Sequence, residues 1–215
     1  MQVTVIDYGI GNLFSVARAL EHCGAEVKVS ADPAVIEAAP RLVLPGVGAF
    51  ADGMQGLRER GLVETILRYA ASSRPLLGIC LGMQMLASVS EEFGEHAGLG
   101  LIPGRVVPVP STTTQGHPQK IPHITWSALA PAQGAVWRGT PLEDTASGTA
   151  VYLVHSYHVL PADPVDLLAH WDYGGHKITA AIRRGCVFGC QFHPEKSGPH
   201  GLRMLAAFLR IAPRS

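Results

Sequence analysis

Residues 75–86 read Pro75-Leu76-Leu77-Gly78-Ile79-Cys80-Leu81-Gly82-Met83-Gln84-Met85-Leu86, and they pass from an apolar strand to a helix. Gly78 and Gly82 flank Cys80 at two residues on either side, as a sharp strand-to-helix elbow requires, because the crowded turn leaves no room for a Cβ. Such an elbow holds the Cys80 side chain at its apex, beside a helix N-terminus that favours a thiolate. The alternative is an inert, buried cysteine at a strand end.

The residues around this elbow alternate short apolar runs with amphipathic patterns, which predicts a parallel sheet with flanking helices. Their nearly unbroken apolar character predicts strands that are buried on both faces. The predicted strands are 3–6, 25–29, 41–44 and 75–79, and the predicted helices are 13–20 and 54–71, the latter with a break near Gly61.

Beyond about residue 99 the segments become shorter and richer in proline. Residues 108–122 predict an exposed loop or hairpin tip. Further strands are predicted at 151–154, 167–171, 178–182 and 186–192, with a closing helix at 201–211. We expect a single domain over residues 1–215.

Composition narrows the function classes. Seventeen basic and seventeen acidic residues cancel, which argues against nucleic acid or a membrane surface as a partner. The N-terminus lacks a signal-peptide pattern, and no apolar stretch approaches the ~20 residues of a membrane span, so we expect a cytosolic protein. Cys186 and Cys190 share one predicted strand, where their Cα atoms would lie about 13 Å apart, too far for a disulfide or a shared metal. We expect both to be core thiols, and we expect no metal site and no cofactor.

A nucleophilic cysteine needs a base and a group that orients the base. The segment Gln191-Phe192-His193-Pro194-Glu195 ends an apolar run and offers both. In an extended segment, residues two apart point the same way, so Glu195 would hold the imidazole of His193. Pro194 would stiffen the pair.

Acyl chemistry also needs donors for a developing oxyanion. The turn Pro45-Gly46-Val47-Gly48 follows a predicted strand and can present backbone N–H groups toward a neighbouring strand end. The N–H of Leu81, directly after Cys80, is the natural second donor. Alone, the turn would equally suit an ordinary strand-to-helix connection.

Together these motifs resemble the class I (triad) glutamine amidotransferase family across essentially the whole chain. The resemblance implies an α/β, flavodoxin-like fold, with a mostly parallel central sheet, flanking helices and an additional antiparallel β segment in the C-terminal half. It implies that Cys80 attacks the side-chain amide of glutamine, that His193 is base and then acid, and that Glu195 orients His193. It also implies an oxyanion hole and a substrate pocket, formed by Val47, Gly48 and Leu81 and by Gly46, Gln84, His155, Ser156 and Tyr157, respectively.

A narrower set of motifs is similar to the family of glutaminase subunits of imidazole glycerol phosphate synthase, in histidine biosynthesis. It consists of residues 6–13, 44–50, 122–126, 154–159 and 193–198. In that family ammonia passes to a (β/α)8-barrel cyclase partner, which makes imidazole glycerol phosphate and an aminoimidazole carboxamide ribotide. The resemblance implies a heterodimer with Asn12, Trp126, Tyr157 and Lys196 at or near the interface, although Trp126 could be core and Lys196 a solvated charge.

Two positions depart from the family pattern, because Thr125 and Ser127 stand where glycine and asparagine are expected. A β-branched threonine cannot replace a glycine that needs positive φ.

A triad amidotransferase of another pathway and a catalytically silent regulatory domain remain the alternatives. Because an unregulated glutaminase wastes glutamine, we expect weak activity alone and stimulation by the ligand-bound partner, through the backbone of Val47 and Gly48.

Overall fold

The computed structural model describes residues 1–213, in which helices pack on both faces of an eight-stranded sheet. The strands are β1 (Gln2–Ile6), β2 (Glu26–Ser30), β3 (Leu42–Leu44), β4 (Leu76–Ile79), β5 (Val89–Ser90), β6 (His96–Ala97), β7 (Gly104–Pro108), β8 (His123–Ala128), β9 (Ala130–Pro131), β10 (Ala150–His155), β11 (Tyr157–Pro161), β12 (Leu167–Tyr173), β13 (His176–Arg184) and β14 (Val187–Cys190). The helices are α1 (Leu13–His22), α2 (Pro33–Ala38), α3 (Phe50–Glu59), α4 (Leu62–Ala71), α5 (Leu81–Met85) and α6 (Gly198–Arg210).

The main sheet has the order β2-β1-β3-β4-β14-β13-β12-β9. Its first five strands are parallel, and β13, β12 and β9 continue it with antiparallel pairing. A two-stranded sheet of β10 and β8 and a four-stranded sheet of β11, β7, β5 and β6 lie beside it. The predicted α/β class, with a mostly parallel sheet and an antiparallel C-terminal segment, is confirmed.

Alternating side chains of the central strands divide the core into two layers. Val43 and Leu77 point into the layer formed with α1 and α6. Leu42, Leu44 and Leu76 point into the layer formed with α2, α3, α4 and α5. Both faces of β3 and β4 are therefore buried, as their apolar sequences predict.

The structure corrects three predicted boundaries. The helix predicted at 54–71 begins earlier, at Phe50, whereas its predicted break near Gly61 is confirmed, because Gly61 adopts a left-handed conformation (φ 65°) between two helices. The strand predicted at 186–192 ends at Cys190, since the chain then turns to β10, where the His193 amide donates to the Tyr152 carbonyl (3.0 Å). The closing helix begins earlier, at Gly198.

One burial prediction is wrong. Strand β2 is the outer strand of the sheet and is largely exposed, with Val29 45% accessible, because nothing pairs with its far edge in the described residues. The expected hairpin tip is present, closed by a bridge between Thr112 and Pro118. Helix α2 and the strands β5–β9 and β11 were not predicted. Over residues 1–213, no helix has both the length and the apolar character needed to cross a membrane.

Candidate active site

Three turns meet at the carboxyl ends of the parallel strands β3, β4 and β14, which is where ligands bind in sheets of this kind. Gly46 follows β3, Cys80 follows β4, and His193 follows β14. The Cys80 amide donates to the Cys190 carbonyl (2.8 Å), which ties the elbow to β14. Neighbouring strands therefore bring together residues that lie far apart in sequence.

The elbow at Cys80 has the geometry that its glycines predict. Cys80 has φ 54° and ψ −112°, a conformation that non-glycine residues rarely adopt. A Cβ on Gly82 would lie 1.8 Å from the Leu44 carbonyl oxygen, and one on Gly78 would lie 2.7 Å from the Gly82 carbonyl oxygen. Both glycines are thus required by close backbone packing, and the strained Cys80 backbone is held from both sides.

His193 and Glu195 form the predicted pair, but not in the predicted way. The Nδ1 of His193 lies 2.8 Å from the Oε1 of Glu195, and both side chains are almost completely buried. Residues Pro194–Lys196 form a 3₁₀ turn instead of an extended segment. The contact therefore arises because the turn folds the carboxylate back onto the ring, with Pro194 at its first position.

The protonation of His193 follows from its neighbours. Burial opposes a charge on the imidazole, but hydrogen bonds and charge interactions with Cys80 and Glu195 outweigh it and raise the pKa of His193 to about 9. At neutral pH the imidazole is therefore protonated on both nitrogens and positively charged, between the sulfur and the carboxylate. This arrangement suits a thiolate–imidazolium pair.

Cys80 and His193 line one cavity of about 280 Å³, close to the lower end of small-molecule pockets (~300–1,000 Å³). Most of the predicted oxyanion and substrate residues share it, namely Val47, Gly48, Leu81, Gln84, His155, Ser156 and Tyr157. Gly46 does not line it, because this glycine packs against Tyr8 and Leu81 behind the cavity wall.

Glu92 also lines the cavity, although its sequence context gave no sign of a functional role. It is the one carboxylate among the lining residues in the described part of the chain, and no lysine or arginine is among them. Its Oε2 accepts a hydrogen bond from the Phe50 amide (2.6 Å), which fixes the side chain at the start of α3. Residues 91–95 carry no motif or periodicity that points to a site.

A second histidine in the cavity, His155, has the opposite character to His193. Burial lowers the pKa of His155 to about 3, despite the hydrogen bond of its Nδ1 with the Tyr157 carbonyl (2.8 Å). Because a carbonyl only accepts, Nδ1 carries the proton and Nε2 is bare. His155 is therefore neutral near pH 7, and His193 is the better candidate for proton transfer.

The expected oxyanion donors Leu81 and Val47 do not point to a common position. The Leu81 amide donates to the Gly46 carbonyl at 3.3 Å. Since C=O and N–H of a trans peptide point in opposite directions, the Val47 amide faces away from Leu81. The Tyr8 hydroxyl, another residue without a predicted role, donates to the Pro45 carbonyl (2.7 Å) and steadies this turn. Gly48 is left-handed (φ 96°) with open space around it.

Of the four residues expected at a partner interface, Tyr157 lines the cavity and the other three lie outside it. The Asn12 side chain accepts from the Ser15 amide (3.3 Å) and caps α1. Trp126 is 51% exposed on β8, so it is not a core residue. Lys196 is exposed, and its Nζ lies 5.9 Å from the centre of the Tyr152 ring, which also neighbours Trp126 and His193. Tyr152 thus connects the exposed surface to the buried imidazole.

The two unusual positions fit this surface without strain. Thr125 and Ser127 both belong to β8, and no positive φ occurs there. The Ser127 hydroxyl lies 3.0 Å from Nε2 of His123. Position 125 therefore does not need glycine in this conformation.

Comparisons with known proteins identify the family. The family model described as glutamine amidotransferase class-I matches residues 4–212. The chain is 50% identical to imidazole glycerol phosphate synthase subunit HisH 1 of Legionella pneumophila strain Lens, over 97% of this chain and 99% of that protein. It is also 50% identical to the HisH subunit of Methylococcus capsulatus, over 99% and 98% of the two chains.

Solved structures resemble the fold at much lower identity. The structure of PurLQS from Thermotoga maritima matches with a TM-score of 0.74 and 20% identity, over 97% of each chain. A glutamine amidotransferase from Thermotoga maritima matches with a TM-score of 0.58 and 18% identity, over 91% of this chain and 76% of that one. These two likenesses bear on the fold alone.

Proposed function

The chain belongs to the class-I glutamine amidotransferase family, as a HisH-type glutaminase subunit of imidazole glycerol phosphate synthase, and we propose that Cys80, His193 and Glu195 carry out its hydrolysis of glutamine. One observation supports this assignment above the others. The sulfur of Cys80 lies in a cavity of about 280 Å³, beside an imidazole that is itself held by a buried carboxylate at 2.8 Å.

The proposed reaction proceeds through a thioester. His193, as base, holds the proton taken from the Cys80 thiol in the thiolate–imidazolium pair, and the Cys80 sulfur attacks the side-chain amide carbon of glutamine. His193 then returns a proton to the leaving nitrogen, so ammonia departs and a glutamyl thioester remains. Water attacks the thioester with His193 as base, the C–S bond breaks, and glutamate leaves with the thiol restored. Glu195 keeps the imidazole in one orientation and stabilises its charge.

Substrate recognition is assigned to the acceptors that line the cavity. Gln84 donates through Nε2 to the Tyr157 carbonyl (3.0 Å) and to Oε1 of Gln191 (3.1 Å), which leaves its own Oε1 for the cavity. Together with the carboxylate of Glu92, that oxygen suits the α-ammonium group of glutamine. The backbone around Ser156 and Tyr157 would meet the rest of the ligand.

The oxyanion hole is proposed to form on activation. In the resting arrangement the Gly46 carbonyl occupies the Leu81 N–H. Rotating the peptide between Gly46 and Val47 would release that N–H and turn the Val47 N–H toward the same point, giving two donors. The left-handed Gly48 gives the turn the freedom to rotate.

The partner completes the proposal. We assign the acceptor of the ammonia to a cyclase subunit with a (β/α)8-barrel fold, which binds over Asn12, Trp126 and Lys196 and produces imidazole glycerol phosphate and an aminoimidazole carboxamide ribotide. We also assign the pair to the cytoplasm. The exposed Trp126 beside Tyr152 is the kind of aromatic anchor that dominates interfaces.

A cysteine comparison tests the catalytic assignment. Cys80→Ala should lower glutamine hydrolysis, measured with the cyclase and its ligand present, by roughly 10³-fold or more. The control is Cys23→Ser, because the Cys23 thiol donates to the Leu202 carbonyl far from the cavity and a hydroxyl can replace it. Full activity in Cys80→Ala would refute the assignment.

A second experiment tests the partner. The chain should copurify with a barrel cyclase from its own source, and adding that cyclase with its ligand should raise ammonia release at saturating glutamine. Equal turnover with and without the cyclase would contradict the proposed opening of the oxyanion turn.

A further inference from the structure

Two buried glutamine side chains connect the wall of the cavity to the reactive sulfur. Gln191 is completely buried at the end of β14, and Gln84 on α5 is 6% exposed. The Nε2 of Gln191 lies 3.8 Å from the Cys80 sulfur, within reach of an N–H···S hydrogen bond. Burying an amide group costs free energy unless its polar atoms are hydrogen-bonded, so both buried side chains need hydrogen-bond partners.

The orientation of both amides is fixed by chemistry. The Tyr157 carbonyl can only accept, so the Gln84 atom beside it at 3.0 Å is the NH₂ group. That NH₂ has a second hydrogen, which requires an acceptor, and the Oε1 of Gln191 supplies it at 3.1 Å. The NH₂ group of Gln191 therefore faces the Cys80 sulfur. His155 donates to the same Tyr157 carbonyl and so helps to fix the first acceptor in this series of hydrogen bonds.

We propose that Gln191 is a further catalytic residue, which donates a hydrogen bond to the Cys80 sulfur, and that Gln84 is the positioning residue that sets its direction. The donor favours a thiolate over a thiol and holds the sulfur beside His193. In this step the S–H bond of Cys80 breaks and an N–H bond forms on His193, which takes the thiol proton. The amide of Gln191 keeps both of its hydrogens. This inference rests on the nucleophilic role of Cys80.

The hydrogen bonds from Gln84 through Gln191 to the Cys80 sulfur form a relay, which also connects the substrate to the sulfur. A substrate ammonium group that donates to Oε1 of Gln84 would polarise that amide and strengthen its N–H donors. Hydrogen bonds in such chains reinforce one another, by roughly 10–30% per bond. Binding of glutamine would therefore strengthen the donor that faces Cys80.

The test replaces the donor without changing the volume much. Gln191→Met removes the N–H, and Gln191→Glu keeps an acceptor for Gln84 but turns an oxygen toward the sulfur. The first measurement is the pH dependence of Cys80 alkylation by iodoacetamide in the free protein, followed on the Cys80 peptide by mass spectrometry. Relative to wild type, its midpoint should rise by about one pH unit in Gln191→Met and further in Gln191→Glu.

Turnover gives the second measurement. With the cyclase and its ligand present, kcat of Gln191→Met should fall about tenfold while KM stays within a factor of two, since the donor acts on the sulfur. The matched control is Gln119→Met, whose amide donates to the Pro110 carbonyl (2.6 Å) outside the cavity. It should leave both measurements at wild-type values.

The outcomes separate this inference from the proposed function. If Cys80→Ala is inactive but Gln191→Met keeps the wild-type alkylation midpoint and kcat, the relay is refuted and the nucleophile stands. If Gln191→Met fails to fold, Gln84→Met provides the second route, because loss of its NH₂ frees the Gln191 amide to turn. An unchanged alkylation midpoint in Gln84→Met would then refute the relay.

Discussion

The buried histidine His158 should make the protein sensitive to acid. It is 4% exposed, and its Nδ1 accepts a hydrogen bond from the Thr179 amide (3.4 Å). Burial lowers the pKa of His158 to about 4, against 6.5 for an ordinary histidine. Between pH 6.5 and 4, the histidine therefore binds a proton in the unfolded chain but stays neutral in the folded chain. The resulting stability is present above pH 6.5 and is lost as the pH falls from 6.5 toward 4.

The size of the loss follows from the two pKa values. At pH 5 the difference costs about 2 kcal/mol of unfolding free energy relative to pH 8, using 1.36 kcal/mol per pKa unit. His155, with its pKa lowered to about 3, should cost about the same again. The substitution His158→Asn keeps an acceptor for the Thr179 amide but cannot ionise. It should therefore remove about half of the combined loss.

Urea denaturation at pH 8, 7, 6 and 5, followed by tryptophan fluorescence, measures the effect. The fall in unfolding free energy from pH 8 to pH 5 should be about 2 kcal/mol smaller in His158→Asn than in wild type. Any cavity cost of the smaller side chain is present at every pH and cancels. The control is His117→Asn at an exposed position, which should run parallel to wild type. Parallel curves for His158→Asn and wild type would refute the reasoning.

Three further predictions concern the site and its support. Glu195→Gln removes the carboxylate beside His193, so the pKa of His193 should fall by about 1–3 units in an imidazole NMR titration, and kcat by roughly 10²-fold; an unchanged titration would contradict the pairing. Gly82→Ala should lower the unfolding free energy by about 3 kcal/mol or more, because its Cβ meets the Leu44 carbonyl, and a wild-type urea midpoint would disprove this. Trp126→Ala should weaken cyclase binding at least tenfold by calorimetry without lowering Tm, whereas an unchanged Kd would exclude Trp126 from the interface.

The fold was predictable wherever one local pattern determined the structure. The elbow around Cys80 combines an apolar strand, two spaced glycines and a helix, and each constrains the same backbone. Strand β2 was located correctly, but its exposure was not, because position at the edge of a sheet depends on strands elsewhere in the chain. The short strands β5, β6 and β9 have two residues each, too few for any periodicity to appear.

The site was predictable to a similar degree. His193 and Glu195 are neighbours in sequence, so their contact is local, even though a 3₁₀ turn makes it. Glu92 reaches the cavity only because the segment after α5 returns to the start of α3, which is a long-range event without a sequence signal. The role of Gln191 likewise depends on Gln84, more than a hundred residues earlier.

The hydrogen bond between Leu81 and Gly46 bears on how much glutamine the free subunit wastes. One neutral hydrogen bond contributes about 0.5–1.5 kcal/mol, which restrains the opening of the turn by about tenfold at most. Any tighter restraint has to come from other contacts of the turn, such as the hydrogen bond from the Tyr8 hydroxyl to the Pro45 carbonyl. Small substitutions in residues 45–48 would then raise or lower the rate of glutamine hydrolysis without the partner in small steps. Evolution could thus adjust the rate at which the free subunit hydrolyses glutamine without any change to the nucleophile.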